Sequence, residues 1–408
     1  MESLILAVFL ATYLGMALGR VPGLKLDRAG IALFAAVVLL ATNAVPVERL
    51  GQRIDLPTLL LLFGLMIISA QLQGAGFYRY VAGRIATAQG SPLLLLGLTV
   101  GVAGGLSALL ANDIVVFAMA PILALGTRQR GLDPRPFLIA LAGASNAGSA
   151  ITVIGNPQNI LIGQLGGLDF WRFAAVCAVP GLLALLTVFL VVWAGWRESL
   201  RNPPAASIKN IEPVQPWPTI KGILAVLLLI LAFATPFPRE LSALAIAALL
   251  LASRKMASRD MIGAVDWHLL LLIACLFIVT GAFAELNMTA QSVALLKAEG
   301  WALESLSVMT PLLLVLSNSI GNVPAVILLL SLFGTPDAGT LHGMALISTL
   351  SGNLLLTGSL ANIIVAERAA SVGVRLSFLD HAKSGIPMTL ISLALAVAWL
   401  WAVGEMRF

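Results

Sequence analysis

The sequence predicts an all-α polytopic membrane protein, with about ten transmembrane helices and two re-entrant helical hairpins in two inverted repeats. Three observations predict it. Hydrophobic residues make up 59% of the 408 positions and charged residues only 11%, against about 45–50% and about 25% in soluble domains. Mean hydropathy is +0.99. The basic residues fall in clusters between apolar runs rather than in one patch, so the net charge of +5 reflects membrane topology and not nucleic-acid binding. A disordered chain, a disulfide scaffold and a soluble enzyme are excluded.

A spanning helix needs about 20 mostly apolar residues. Runs that meet this start at 2–19, which carries no basic n-region and reads as an uncleaved first helix. The others are 29–46, 56–75, 136–165, 171–195, 219–235, 240–253, 268–285, 340–366 and 377–404. Segments 92–127 and 305–333 are too long for one helix, and each carries a polar cluster at its middle. Both are expected to turn back as hairpins, because irregular backbone at membrane depth survives only against protein or a wet cavity. Segments 76–90 and 286–304 precede them as interfacial helices. Gly97, Gly101 and Gly105 are expected to form a small track for close helix contact.

With residue 1 outside and each hairpin returning to its own side, inner segments carry 18 of the 24 Lys and Arg residues. Only Arg49, Arg53, Arg172, Arg239, Lys297 and Arg407 fall outside. This asymmetry puts both termini in the periplasm of a bacterial inner membrane. The proline-rich stretch 197–218 cannot continue a helix and is expected to be a cytoplasmic linker between residues 1–196 and 219–408.

The two halves align. Asp55 falls on Asp266, Asn112 on Asn322, and Gly155-Asn-Pro-Gln-Asn159 on Gly358-Ser-Leu-Ala-Asn362. By the charge count the helices after Asp55 and Asp266 run in opposite directions. Inverted repeats with interrupted helices are the pattern of secondary transporters, whose substrate site lies where the breaks meet.

The polar residues at membrane depth form four clusters. Ser107, Asn112 and Asp113 belong to the first hairpin, and Ser317, Asn318 and Asn322 to the second. Ser145, Asn146, Ser149, Thr152, Gly155, Asn156 and Asn159 follow the first, and Asn353, Thr357, Gly358, Ser359 and Asn362 follow the second. Single Ser or Thr residues merely join helices, but four clusters in register make a binding site the better reading. Gly155-Asn-Pro157 would break its helix and expose carbonyls and a helix N-terminus. Asp113 is the one acid expected inside the hydrocarbon. Desolvation penalises its charged form, which suits it to exchange a proton or hold a cation, with Asn112 beside it; capping of the following helix is compatible with either role. No intramembrane Lys or Arg and no His falls in the clusters, so the substrate is expected to be weakly charged or held by helix ends. Cys177, Cys275 and the three His residues show no metal spacing, and no cofactor is expected.

Ala111-Asn-Asp113, Ser145-Asn-Ala-Gly-Ser-Ala150, Asn322-Val-Pro-Ala-Val326 and Gly358-Ser-Leu-Ala361 resemble the ion transporter superfamily, which includes arsenite permeases, Na+/H+ antiporters and citrate–dicarboxylate carriers. The resemblance covers nearly the whole chain and is closest to the arsenite permeases, although Gly155-Asn-Pro-Gln-Asn159 looks more like the general anion and Na+/H+ members. It implies a scaffold, a mobile transport domain, an elevator-like motion and, as often in that superfamily, a homodimer. The expectation is a non-enzymatic, proton-coupled exporter of arsenite or a similar small oxyacid. A sodium-coupled anion or dicarboxylate carrier, a Na+/H+ antiporter and an anion channel are the alternatives.

Overall fold

A computed structural model describes residues 1–19, 23–201, 213–334 and 336–408. Among them every regular element is helical. The first half runs α1 (Glu2–Leu18), α2 (Arg28–Ala41), α3 (Leu50–Arg53), α4 (Leu56–Gly74), α5 (Phe77–Thr87), α6 (Pro92–Leu109), α7 (Asn112–Gln129), α8 (Arg135–Ser149), α9 (Pro157–Leu165) and α10 (Phe170–Gly195). The second half runs α11 (Pro216–Ala232), α12 (Arg239–Leu251), α13 (Ser258–Gly263), α14 (Trp267–Ala284), α15 (Asn287–Ala298), α16 (Leu306–Ser319), α17 (Asn322–Phe333), α18 (Ala338–Ser351), α19 (Leu360–Ala370) and α20 (Phe378–Ala402). The order of long and short helices is the same twice over. The short helices α3 and α13 extend that match beyond the sequence expectation. Residues 202–212 of the expected linker lie outside the described residues.

Helices α4, α6, α10, α14 and α20 are long and apolar enough to cross a membrane, and α1, α2, α11, α16 and α17 are apolar but shorter. The chain is a multi-pass membrane protein. Both anticipated hairpins are helix pairs with tight tips, at Leu110–Ala111 and at Ile320–Gly321. Gly321 takes a φ of 97°, a region that a side chain would strain. Both anticipated breaks are present, between α8 and α9 and between α18 and α19. Acidic caps start several helices: Asp27 Oδ1 accepts from Gly30 N at 2.8 Å, Asp55 Oδ2 from Thr58 N at 3.0 Å, and Asp266 Oδ1 from Leu269 N at 2.9 Å.

Packing between helices also comes in matched pairs. α2 lies on α14 as α12 lies on α4. α6 lies on α8 as α16 lies on α18, and α7 meets α19 as α17 meets α9. At the centre, every residue of α8 from Pro136 to Ser149 and of α18 from Gly339 to Ser351 is buried. The polar clusters therefore sit at the ends of two fully enclosed helices.

The expected glycine track is not the close contact. Gly101 and Gly105 are exposed, and a Cβ on either would meet nothing within 4 Å. The crossing with α8 uses Gly104 instead, where a Cβ added to Gly148 would fall on the Gly104 backbone. The 3.6-residue turn puts Val100, Ala103, Gly104 and Ser107 on the buried face and leaves the four-residue series to drift off it.

Candidate functional site

The two broken helices are tied by the same bonds. In the first half Asn159 Nδ2 donates to Ser149 O at 3.1 Å and Thr152 O at 3.0 Å. In the second, Asn362 Nδ2 donates to Gly352 O at 2.8 Å and Leu355 O at 3.1 Å. Each amide satisfies carbonyls that the helix break leaves without their usual partners. The new helix is then capped by Asn156 in one case and by Ser359 in the other.

The halves also exchange bonds. Asn146 Nδ2 donates to Asn362 Oδ1 at 3.2 Å, and Thr349 Oγ1 donates to Asn159 Oδ1 at 3.3 Å. Ser359 Oγ donates to Asn146 Oδ1 at 3.0 Å, and Asn156 Nδ2 donates to Thr349 Oγ1 at 3.3 Å. Asn146 Nδ2 also reaches Asn353 Oδ1 at 2.8 Å. His381, wholly buried on α20, lies 3.1 Å from Asn353 O through Nε2. A histidine thus does join the polar cluster, contrary to expectation, because α20 folds back over the second break.

This network fixes the direction of one further amide. Asn362 spends its amino group on carbonyls, so its Oδ1 must accept from Asn146. Asn146 Oδ1 is thereby turned to Ser359 and to Asn112 Nδ2, the latter at 3.4 Å. The carbonyl oxygen of the Asn112 side chain is left buried with no partner, as is that of Asn322 in the second hairpin. Other predicted residues hold the first hairpin against α8: Ser107 Oγ donates to Ser145 Oγ at 3.0 Å, Ser145 Oγ to Asn112 O at 3.4 Å, and Thr152 Oγ1 to Ala108 O at 2.5 Å. Asn318 Nδ2 ties the second hairpin to Ser351 O at 2.9 Å.

A cavity of about 210 Å³ opens between these elements. Of the predicted residues, Asn112, Asp113, Asn146, Asn322, Gly358 and Ser359 line it. A second cavity of about 270 Å³ shares Asp113, Pro157, Asp266 and Leu269 with the first and adds Asn156. Among the described residues, the Asp113 carboxylate has no hydrogen-bond partner. Ser107, Ser145, Ser149, Thr152, Gly155, Asn159, Ser317, Asn318, Asn353 and Asn362 line neither cavity and stand behind the lining. Thr357 is exposed and also lines neither.

The sequence reading missed four titratable lining residues, Asp27, Arg28, Asp266 and His268. An arginine therefore does face the site. With them the cavity is bordered by the first residues or caps of six helices: α2 (Asp27, Arg28), α7 (Asn112, Asp113), α9 (Pro157, Gln158), α14 (Asp266, His268), α17 (Gly321, Asn322) and α19 (Ser359, Leu360). Six positive helix ends converge there. Asp27, Asp113 and Asp266 set three carboxylates among them.

Paired hairpins and broken helices around a polar cavity inside an apolar helical protein define a membrane transporter. The chain belongs to the citrate transporter (CitMHS) family, whose model matches residues 13–342, within the ion transporter superfamily. It is 31% identical to a 46 kDa membrane protein of Mycobacterium leprae, with 98% of each chain covered. It is 26% identical to the silicon efflux transporter LSI3 of Oryza sativa subsp. japonica (92% and 93% covered) and 22% identical to a putative transporter arsB of Dictyostelium discoideum (94% and 88%). The fold matches the YdaH transporter of Alcanivorax borkumensis with a TM-score of 0.59 at 15% identity, over 99% of this chain and 98% of that one.

Proposed function

We propose that this protein is a secondary active transporter of a small oxyacid, coupled to protons through Asp113, with arsenous acid as the specific candidate for export. The observation that carries the reading is the convergence of six helix N-termini and the unpartnered amide oxygens of Asn112 and Asn322 on one cavity. Helix ends suit electron-rich oxygens and amide oxygens suit O–H donors, so a molecule built of X–O and X–OH groups meets both. Relatives named for silicon efflux and for arsB point to substrates of that chemistry.

The matched packing and the exchanged bonds support two inverted repeats with α8–α9 and α18–α19 at the centre of a moving core. The basic loops before α2 and α14 would lie in the cytoplasm by the charge count. The cavity, whose rim includes Asp27 and His268, would then face inward, ready to load an exported substrate. An elevator-type motion would carry it outward.

Flux of arsenite into inverted vesicles or proteoliposomes tests the reading. Uptake should depend on a pH gradient and should lose that dependence in Asp113→Asn; uptake insensitive to both would overturn proton coupling. A second reading has its own support. The Asp113 carboxylate with the amide oxygens of Asn112 and Asn322 lines the same cavity as an all-oxygen set, which suits Na+. Sodium-dependent thermal stabilisation lost in Asp113→Asn would favour it.

A further inference from the structure

Arg28 and Arg239 hold equivalent places, each at the first position of its helix and 211 residues apart. Arg239 is committed: its Nη2 donates to Leu168 O, and the adjacent Glu240 accepts from Gln164 Nε2 at 3.0 Å. Together they fasten the end of α9. Arg28 has no such task. It is half-buried and lines the first cavity, yet among the described residues it makes neither a hydrogen bond nor an ion pair. Asp27 beside it is spent on capping Gly30 N, and Asp113 and Asp266, though on the same cavity, form no ion pair with it. The tip of the second hairpin runs alongside: a Cβ on Gly321 would lie 3.3 Å from Arg28 Nη1. A desolvated guanidinium without a counter-charge is costly. Its planar fork matches two oxygens of one oxyanion, which an ammonium would not.

We propose that Arg28 reads the charge of the substrate, so that the cavity takes an oxyacid in a partly ionised form. The anionic oxygen pairs with Arg28, and the remaining O–H groups donate to Asn112 Oδ1 and Asn322 Oδ1. This rests on the reading of the cavity as an oxyacid transport site, and it puts a singly ionised oxyacid in place of neutral arsenous acid as the substrate. Asp27, Asp113, Asp266 and His268 face the same space, and the three carboxylates disfavour fully ionised substrates and leave Arg28 to select for a single negative charge.

Thermal shift of the purified full chain tests it, with arsenite (neutral arsenous acid at neutral pH), arsenate and citrate as probes and sodium chloride matching ionic strength. The expected result is stabilisation by arsenate and not by the fully ionised citrate, weakened tenfold or more in Arg28→Gln, partly restored in Arg28→Lys, and unchanged in affinity in Arg239→Gln; stabilisation by citrate equal to that by arsenate would overturn the selection for a single charge. Equal losses in Arg28→Gln and Arg239→Gln would assign Arg28 a structural role and overturn the proposal. So would stabilisation by arsenite alone with an Arg28→Gln response equal to wild type, although the transport reading would then survive. If no oxyacid stabilises the wild-type chain, the transport reading falls and the proposal falls with it.

Discussion

Asn159 and Asn362, 203 residues apart, perform one job in two halves: each donates to the carbonyls ten and seven residues before it. Each also accepts a bond from the other half, from Thr349 and from Asn146. Removing either amide would strand two buried carbonyls and one donor across the repeat boundary. At about 1–3 kcal/mol for each of the three stranded groups, Asn159→Ala or Asn362→Ala should cost at least about 3 kcal/mol. Interhelical hydrogen bonds in membranes average nearer 0.6 kcal/mol, so the carbonyls, not the cross-half bond, should dominate. A cycle of Asn146→Ala and Asn362→Ala should therefore give a coupling of only about 1 kcal/mol, measured by thermal or denaturant unfolding. Fully additive effects would mean that the two halves do not lean on one another here.

The close crossing of α6 and α8 makes a second contrast. Gly148→Ala would drive a methyl group into the Gly104 backbone, which is not a flexible side-chain end. Overpacking of this kind costs about 1–3 kcal/mol. Gly101→Ala on the same hairpin arm meets open space and should change stability by less than about 0.5 kcal/mol. Melting temperatures of the two variants in one detergent check the assignment; equal losses would contradict the crossing.

These residues also show what a sequence discloses. The breaks were legible because Gly155-Asn-Pro157 and Gly358-Ser359 interrupt apolar runs, and a membrane helix has few other reasons to carry them. The hairpins were legible because each long run has a polar middle. The pairing of Asn146 with Asn362 was not, since no local pattern says which polar ends meet in space. Arg28 and Asp266 read as loop charges flanking spans, and only the packing of α2 on α14 brings them to the cavity. His381 stands near the start of an ordinary span, and nothing nearby marks its contact with Asn353. The glycine track failed because spacing by four was read without the phase of the buried face.

Thr357 and Ser359 are two residues apart and have opposite surroundings. Thr357 is exposed and lines neither cavity, whereas Ser359 lines the cavity, caps α19 and donates to Asn146 Oδ1. Thr357→Ala should leave transport and stability near wild type. Ser359→Ala should remove the cap, worth about 0.5–2 kcal/mol, and leave Asn146 Oδ1 with only the longer bond from Asn112 Nδ2, so transport should fall severalfold. Flux assays normalised to folded protein distinguish the two; a strong defect in Thr357→Ala would place the substrate path elsewhere.

Asp266 combines a structural and an electrostatic task, and substitutions can separate them. Its Oδ1 caps α14 by accepting from Leu269 N, and its charge faces both cavities with Asp113. Asn caps helices about as well as Asp, so Asp266→Asn should keep stability within about 0.5 kcal/mol, while Asp266→Ala should lose about 1 kcal/mol. Both remove the charge. If the carboxylate helps to set when Asp113 takes a proton, both variants should move the pH dependence of transport alike, despite their different stabilities. The charge is lost equally in both, so the two pH profiles should coincide. A shift that follows stability, present in Asp266→Ala and missing in Asp266→Asn, would show that the cap rather than the charge matters.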